Sequence, residues 1–163
     1  MPAAIAVRAA IPADVPQILL LIQDLAAYEE LSHECLATAE ALQLHLFGPK
    51  PVAEVLLAQV GGETAGFALF FTSFSTFLAS PCLYLEDLFV RPDWRKHGVG
   101  RALLQGLAKV GAERQAGRIE WHVLTWNKLA RDFYDRQGAG ELEGFLVYRL
   151  DKSGMQMLAE AAD

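Results

Sequence analysis

The fold of this chain is constrained most by an apolar strand followed by a helix that begins at two glycines. Residues 82–90 are predicted to form a strand, which ends before Pro92. Gly98 and Gly100 then open a helical pattern that runs to about residue 115, and residues 119–125 form a further strand candidate. A strand–helix–strand unit of this kind predicts two locally parallel strands in a sheet that a helix covers.

The remaining pattern alternates helices and strands along the whole chain. Gly61-Gly62 is a strong hairpin signal between two strand candidates. Thr38 is predicted to cap one helix and Ser153, with Gln156, the last one. The other predicted strands are residues 5–8, 53–60, 64–74 and 144–150, and the other predicted helices are residues 12–25, 38–47 and 127–137. We expect one α/β domain over residues 1–163, with a mixed, mostly antiparallel sheet of about six or seven strands and helices on both faces.

Composition narrows the class of protein. The 163 residues are 53% hydrophobic and 21% charged, which is typical of a globular chain. A net charge of −6 argues against nucleic-acid binding, which depends on clustered Lys and Arg. No apolar run reaches the roughly 20 residues of a membrane helix, and the start of the chain lacks signal-peptide features. With only Cys35 and Cys82 present, a cytoplasmic protein is expected.

The loop before the glycine-opened helix has the features of a phosphate site. Glycines allow backbone N–H groups to approach a ligand, and a helix N-terminus favours anions. Arg95, Lys96 and Arg101 add positive charge around Gly98 and Gly100, which together predict a pyrophosphate cradle. The alternative is that the two glycines serve only a tight turn. The dinucleotide fingerprint fits poorly, because its third glycine position is Leu103.

The motif Arg95-x-x-Gly98-x-Gly100 resembles the coenzyme A loop of the GNAT acetyltransferases. Residues 84–90, with the sequence YLEDLFV, are similar to the central strand of that family, in particular of its diamine (spermidine/spermine) and thialysine branch. The similarity continues through Trp126-Asn127, residues 132–139 and residues 25–29. The resemblance therefore covers most of the chain. It implies a GNAT-like fold, acetyl-CoA as cosubstrate and a homodimer.

The resemblance also implies which residues would hold acetyl-CoA. Backbone groups of the central strand would meet the pantetheine arm and the thioester. The glycine loop would hold the pyrophosphate, and two positions on a later helix would line the other side of the cosubstrate. The residues are Leu88, Phe89 and Val90 in the strand, Arg95, Lys96, His97, Gly98, Val99, Gly100 and Arg101 in the loop, and Asn127 and Ala130 on the helix.

Two carboxylates interrupt the apolar central strand. An unpaired ionised carboxylate in a core is costly, so Glu86 and Asp87 are either functional or held in structural salt bridges. In a regular strand the two side chains would point to opposite faces. The resemblance assigns Glu86 to the amine substrate, as the base that removes its proton. It implies an amine site formed by Tyr28, Glu29, Glu86 and Asp87.

Tyr134 is the candidate acid. It shares a helical face with Asn127 and Ala130, and by pattern alone it would more often be a core aromatic residue. The resemblance instead implies that Tyr134 gives a proton to the departing thiolate. The four histidines show no metal spacing, so no metal site is expected.

Taken together, these features predict an N-acetyltransferase that acetylates the primary amine of a small molecule, such as a diamine, a polyamine or a lysine analogue. Two alternatives stay open: a protein or peptide N-acetyltransferase, and a non-catalytic acyl-CoA-binding module. Where the polyamine-specific pattern carries an Asp, this chain has Ser75-Thr76-Phe77, and the thialysine-type pattern is closer there.

Overall fold

A computed structural model describes residues 4–161, and the chain divides into two units at the junction of Leu124 and Thr125. Met1, Pro2 and Ala3, on which the expectation about a signal peptide rests, lie outside the described residues, as do Ala162 and Asp163. Each unit is described by itself, and the expectation of one domain over residues 1–163 stays a prediction.

The first unit is built on one five-stranded sheet. Its strands are β1 (Ile5–Ala9), β2 (Glu54–Val60), β3 (Glu63–Ser75), β4 (Ser80–Val90) and β5 (Ile119–Glu120). They lie in the order β1-β2-β3-β4-β5. The first three pairings are antiparallel and the last is parallel. The mixed, mostly antiparallel sheet is confirmed, whereas the expected number of strands is wrong, because residues 4–161 contain five.

Within residues 4–161, one of the expected strands is absent, and another is shorter than expected. The strand expected over residues 119–125 is only Ile119–Glu120, and residues 144–150 form no strand. In the latter segment Phe145 is 79% exposed and Tyr148 is 89% exposed. Strand propensity reflects packing against neighbouring strands, so an apolar run without a partner strand does not form a strand.

Five α-helices lie within residues 4–161. In the first unit they are α1 (Val15–Tyr28), α2 (Ala39–Phe47) and α3 (Val99–Glu113), and in the second α4 (Lys128–Arg136) and α5 (Lys152–Glu160). No helix within residues 4–161 is long and apolar enough to cross a lipid bilayer.

The two faces of the sheet carry two apolar cores. Leu56, Phe70 and Leu85 pack with Leu103 and Leu107 of α3. Their strand neighbours face the other way, where a second cluster joins the sheet to α1 and α2: Ile18, Leu21, Leu46, Leu57, Phe67 and Phe89. Because adjacent residues of a strand alternate between faces, the expected helices on both faces of the sheet are confirmed.

Local signals decide the turns and caps of the chain. Gly61 and Gly62 both have positive φ, 59° and 88°, as the tight hairpin between β2 and β3 requires. The Thr38 side chain accepts a hydrogen bond from Ala41 N and caps α2 as expected. The cap of α5 is Asp151, whose Oδ1 accepts from Gly154 N at 2.7 Å, so the expected cap at Ser153 is wrong. Asp151 lies two residues earlier and satisfies one of the free N–H groups of the first turn, that of Gly154.

Candidate active site

A β-bulge brings the two strand carboxylates together. Leu69 is opposite Asp87 and Phe70 is opposite Leu85, so Glu86 is an extra residue in β4. Leu85 and Leu88 both pack on the α3 side of the sheet. The alternation of side chains between the two faces of the sheet is therefore shifted by one residue between them. The expectation that the carboxylates point to opposite faces of a regular strand therefore does not hold, because a bulge interrupts the alternation. Glu86 is exposed and Asp87 is half-buried.

The end of α1 adds a third carboxylate. Burial, together with the negative charges of Glu86 and Glu29, raises the pKa of Asp87 to about 7. Burial also raises the pKa of Glu29, the residue that follows α1. The charges of Glu29 and Glu86 thus both act on Asp87, and the acidic site that these three residues define suits a cationic amine.

The raised pKa of Asp87 predicts a pH-dependent cost to folding. An Asp in the unfolded chain has a pKa of about 3.9, so stability falls as pH rises from about 4 to about 7 and stays reduced above that. Asp87→Asn removes this loss. We expect the variant to gain about 2 kcal/mol more over the wild type at pH 8 than at pH 5, measured by urea unfolding. Asp93→Asn, at an exposed position of the loop after β4, is the matched control. An equal gain for Asp87→Asn at both pH values would contradict the prediction.

Arg95 packs against two aromatic rings that neighbour these carboxylates in the chain. Its guanidinium is 4.5 Å from the ring centroid of Tyr28 and 5.7 Å from that of Phe89. The two rings are 6.5 Å apart. Arg95 Nε also donates a hydrogen bond to Val90 O at 2.9 Å. No local pattern in the sequence indicates this contact, because Tyr28 and Arg95 are distant in the chain.

The backbone of β4 offers donors on the side away from β3. Arg91 N donates to Ala65 O at 2.9 Å, which makes residues 65 and 91 a hydrogen-bonded pair. Such pairs alternate along an antiparallel ladder, so the polar groups of Leu88 and Val90 point away from β3. Within residues 4–161, the pairing of β4 with β5 consists of Leu83–Ile119 and Tyr84–Glu120 and does not extend to residues 88–90. The N–H groups of Leu88 and Val90 therefore face the side on which β4 and β5 separate.

The glycine loop delivers a helix N-terminus next to this strand. Gly98 caps α3 with φ 87°, in the left-handed region that favours glycine. Ala102 N donates to Gly98 O, so the N–H groups of Val99, Gly100 and Arg101 precede the first intrahelical bond. Val99 is buried and fixes the start of the helix. The side chains of Lys96, His97 and Arg101 are exposed around it. This arrangement can bind an anion.

In the second unit, α4 carries the remaining candidates. The buried Asn127 caps the helix, and its Oδ1 accepts from Ala130 N at 3.1 Å. Tyr134 is half-buried on the same helix, with its ring 5.2 Å from that of Phe133. Asn127 thus caps α4, a structural role that the sequence did not predict for it.

The fold and these motifs define a class of enzyme. Residues 20–139 match the acetyltransferase (GNAT) family, and the chain belongs to that family. It is therefore an acetyltransferase, and enzymes of this family use acetyl-CoA as cosubstrate. Among residues 4–161, no group of three or more His, Cys, Asp and Glu side chains is arranged to hold a metal ion.

Its relatives include enzymes that acetylate small amines. The chain is 34% identical to the thialysine N-epsilon-acetyltransferase of Bos taurus, over 94% of this chain and 96% of that one. It is 29% identical to an L-ornithine N5-acetyltransferase of Arabidopsis thaliana, over 93% and 86%. Among solved structures, an integron cassette protein from V. cholerae superposes with a TM-score of 0.80 at 23% identity, over 96% of this chain and 98% of that one. The structural likeness supports the fold alone.

Proposed function

We propose that this enzyme transfers the acetyl group of acetyl-CoA to the primary amine of a small molecule. The observation that carries the proposal is the position of the acidic site. Glu86 and Asp87 lie in the strand whose next residues, Leu88 and Val90, present backbone donors away from β3. An amine held by these carboxylates would lie beside groups suited to a thioester. The thialysine and ornithine acetyltransferases among the relatives support the same class of substrate.

The cosubstrate fits the residues that the structure provides. The N-terminus of α3 and the exposed side chains of Lys96, His97 and Arg101 would hold the pyrophosphate. Residues 88–90 would meet the pantetheine arm through backbone groups, and Asn127 and Ala130 would line its other side. When bound, acetyl-CoA supplies the thioester carbonyl that the amine attacks.

Three residues of the chain would each perform one part of the reaction, as a base, a backbone hydrogen-bond donor and an acid. Glu86 removes a proton from the ammonium, through a water molecule, because the protonated amine has no lone pair to attack with. The N–H of Leu88, which points away from β3, polarises the thioester carbonyl. Tyr134 gives a proton to the departing thiolate, and the second proton that the nitrogen loses as the amide forms restores Tyr134 through solvent. Positioning by the acidic site supplies the rest of the rate.

Binding of the cosubstrate is tested at Gly100. Acetyl-CoA at about 100 times its Kd should raise the melting temperature by roughly 5–10 °C, since binding to the native state adds about 2.7 kcal/mol. In Gly100→Val the side chain blocks the approach of the phosphates to the backbone, so most of this shift should disappear. Ala108→Val, at an exposed position of the same helix, controls for the effect of a β-branched residue. An unchanged shift in a folded Gly100→Val would remove the phosphate site.

The acidic site also sets a preference among amines. Ser75, in the segment where the polyamine-specific pattern carries an Asp, is buried, and its Oγ accepts from Leu78 N at 3.3 Å. This position therefore offers no charge to the far end of a long polycation. We expect thialysine or a small diamine such as putrescine to have a higher kcat/KM than spermine. Steady-state kinetics across these amines and spermidine tests this ranking, and spermine in first place would overturn it.

The two alternatives from the sequence are separated by one assay. Radiolabelled acetyl-CoA is offered with a panel of amines and a panel of peptides carrying free N-termini and lysines. Transfer to small amines supports the proposal, and transfer to peptides alone would replace it with protein acetylation. A melting shift with acetyl-CoA but no transfer at all would indicate a non-catalytic binding module.

We also propose that the enzyme is a cytoplasmic homodimer. The apolar run of Phe145, Leu146 and Val147 is 68–81% exposed, which is unusual for a surface that stays in water. A second copy would cover it. Among the described residues Cys35 and Cys82 are free thiols, which suits a reducing compartment. Sedimentation equilibrium tests the dimer, and fractionation of the source cells tests the location.

A further inference from the structure

Arg95 is less exposed than the other cationic side chains near the glycine loop. Lys96 and Arg101 are exposed, whereas Arg95 is half-buried. Its guanidinium lies over the rings of Tyr28 and Phe89, and its Nε donates to Val90 O at 2.9 Å. A planar guanidinium suits this environment because it stacks on aromatic rings and donates in its own plane.

The groups that Arg95 contacts belong to the two elements that carry the acidic site. Tyr28 is the last residue of α1 and directly precedes Glu29. Phe89 lies two residues after Asp87 in β4. The rings of Tyr28 and Phe89 are 6.5 Å apart, so the end of α1 that precedes Glu29 lies against the end of β4 that follows Asp87. Arg95 therefore connects the residue before Glu29 with the strand segment just after Asp87.

We propose that Arg95 is a positioning residue of the amine site: it holds the end of α1 against the end of β4 and so sets the separation of Glu29 from Asp87. This inference rests on the proposed function. It gives Arg95 a role other than the pyrophosphate contact that its place in the glycine motif implies. The same loop would then contribute to both substrate sites, because it begins at Arg95, beside the amine site, and ends at the helix that would bind the phosphates of acetyl-CoA.

The first experiment uses two acetyl donors. Acetyl-CoA carries the pyrophosphate, and S-acetylpantetheine lacks it. For Arg95→Gln we expect the KM of thialysine or putrescine to rise about five- to fiftyfold with either donor, as expected from loss of a cation–π contact and a hydrogen bond. Arg101→Gln is the matched variant: its defect should fall on the KM of acetyl-CoA and disappear with S-acetylpantetheine. A defect of Arg95→Gln that also disappears with S-acetylpantetheine would overturn the inference.

Arg95→Lys gives an independent test that keeps the charge. A lysine can bind phosphate as a point charge, but it lacks the planar group and the Nε–H donor. Positioning predicts that Arg95→Lys is nearly as impaired as Arg95→Gln in the KM of the amine. Restoration of near wild-type kinetics by lysine would favour a phosphate contact and overturn the inference.

The partner ring is tested by a double-mutant cycle. Tyr28→Leu should raise the KM of the amine, whereas Tyr28→Phe, which keeps the ring, should have a much smaller effect. In Arg95→Gln/Tyr28→Leu the two effects should be markedly less than additive, because each variant breaks the same contact. Full additivity, or equal defects in Tyr28→Leu and Tyr28→Phe, would overturn the inference. If Arg95→Gln does not fold, Arg95→Lys and the Tyr28 variants decide the question. An absence of turnover in the unaltered enzyme would instead contradict the proposed function.

Discussion

Tyr134→Phe should lower kcat by about 10²–10⁴-fold and change KM little, the range expected when a general acid is removed. The variant keeps the ring, and so its packing beside Phe133, but it deletes the only proton that the side chain can give. The departing thiolate then leaves without a proton or takes one from water. Steady-state kinetics with acetyl-CoA and a small diamine, followed by release of the free thiol, measures the effect.

The leaving group provides the control for Tyr134→Phe. An aryl thioester has a more acidic thiol, which leaves as a stable thiolate and needs little help from an acid. The loss of rate should therefore be much smaller with an aryl thioester than with acetyl-CoA. An unchanged melting temperature would show that the fold is intact. Turnover at the wild-type rate with acetyl-CoA would make Tyr134 a packing residue.

Elements with a strong local signal were predictable from the sequence. The cap at Thr38 and the hairpin at Gly61-Gly62 depend on residues within one turn, and both are confirmed. The apolar residues 144–150 also matched the pattern of a strand, yet they form none. Whether an apolar run becomes a strand depends on a partner strand, and the sequence of the run does not contain that information.

The site shows the same division between local and long-range information. The resemblance placed Glu86 and Asp87 in the central strand and the glycines at the start of α3, and the structure places them there. The bulge at Glu86 could not be predicted, because it depends on the register of β4 against β3. The contact of Arg95 with Tyr28 joins a loop to a distant helix, and it too required the folded chain. The roles of the individual residues stay predictions.

Glu86→Gln should lower kcat/KM by about 10²–10⁴-fold near neutral pH, because the variant cannot take a proton from the substrate. A free alkylamine has a pKa of about 10.4, so at pH 7 nearly all of the substrate is ammonium and depends on a base. As pH rises toward 10, the neutral amine becomes abundant and the need for Glu86 declines. The ratio of wild-type to variant kcat/KM should therefore fall steadily from pH 7 to pH 10. A ratio that does not change with pH would contradict the role of Glu86 as the base.

Asp87→Asn is the matched variant for this experiment, because Asp87 is the neighbouring carboxyl and its pKa is raised to about 7. Glu86 is exposed at the bulge, whereas Asp87 is half-buried and its pKa responds to the charge of Glu29. We therefore expect Asp87→Asn to act mainly on the KM of the amine, through loss of a negative charge. Its kcat at saturating amine should keep a pH dependence close to that of the wild type. If the loss that recovers at alkaline pH appears in Asp87→Asn and not in Glu86→Gln, the base is Asp87, and the bulge serves to bury it next to the substrate.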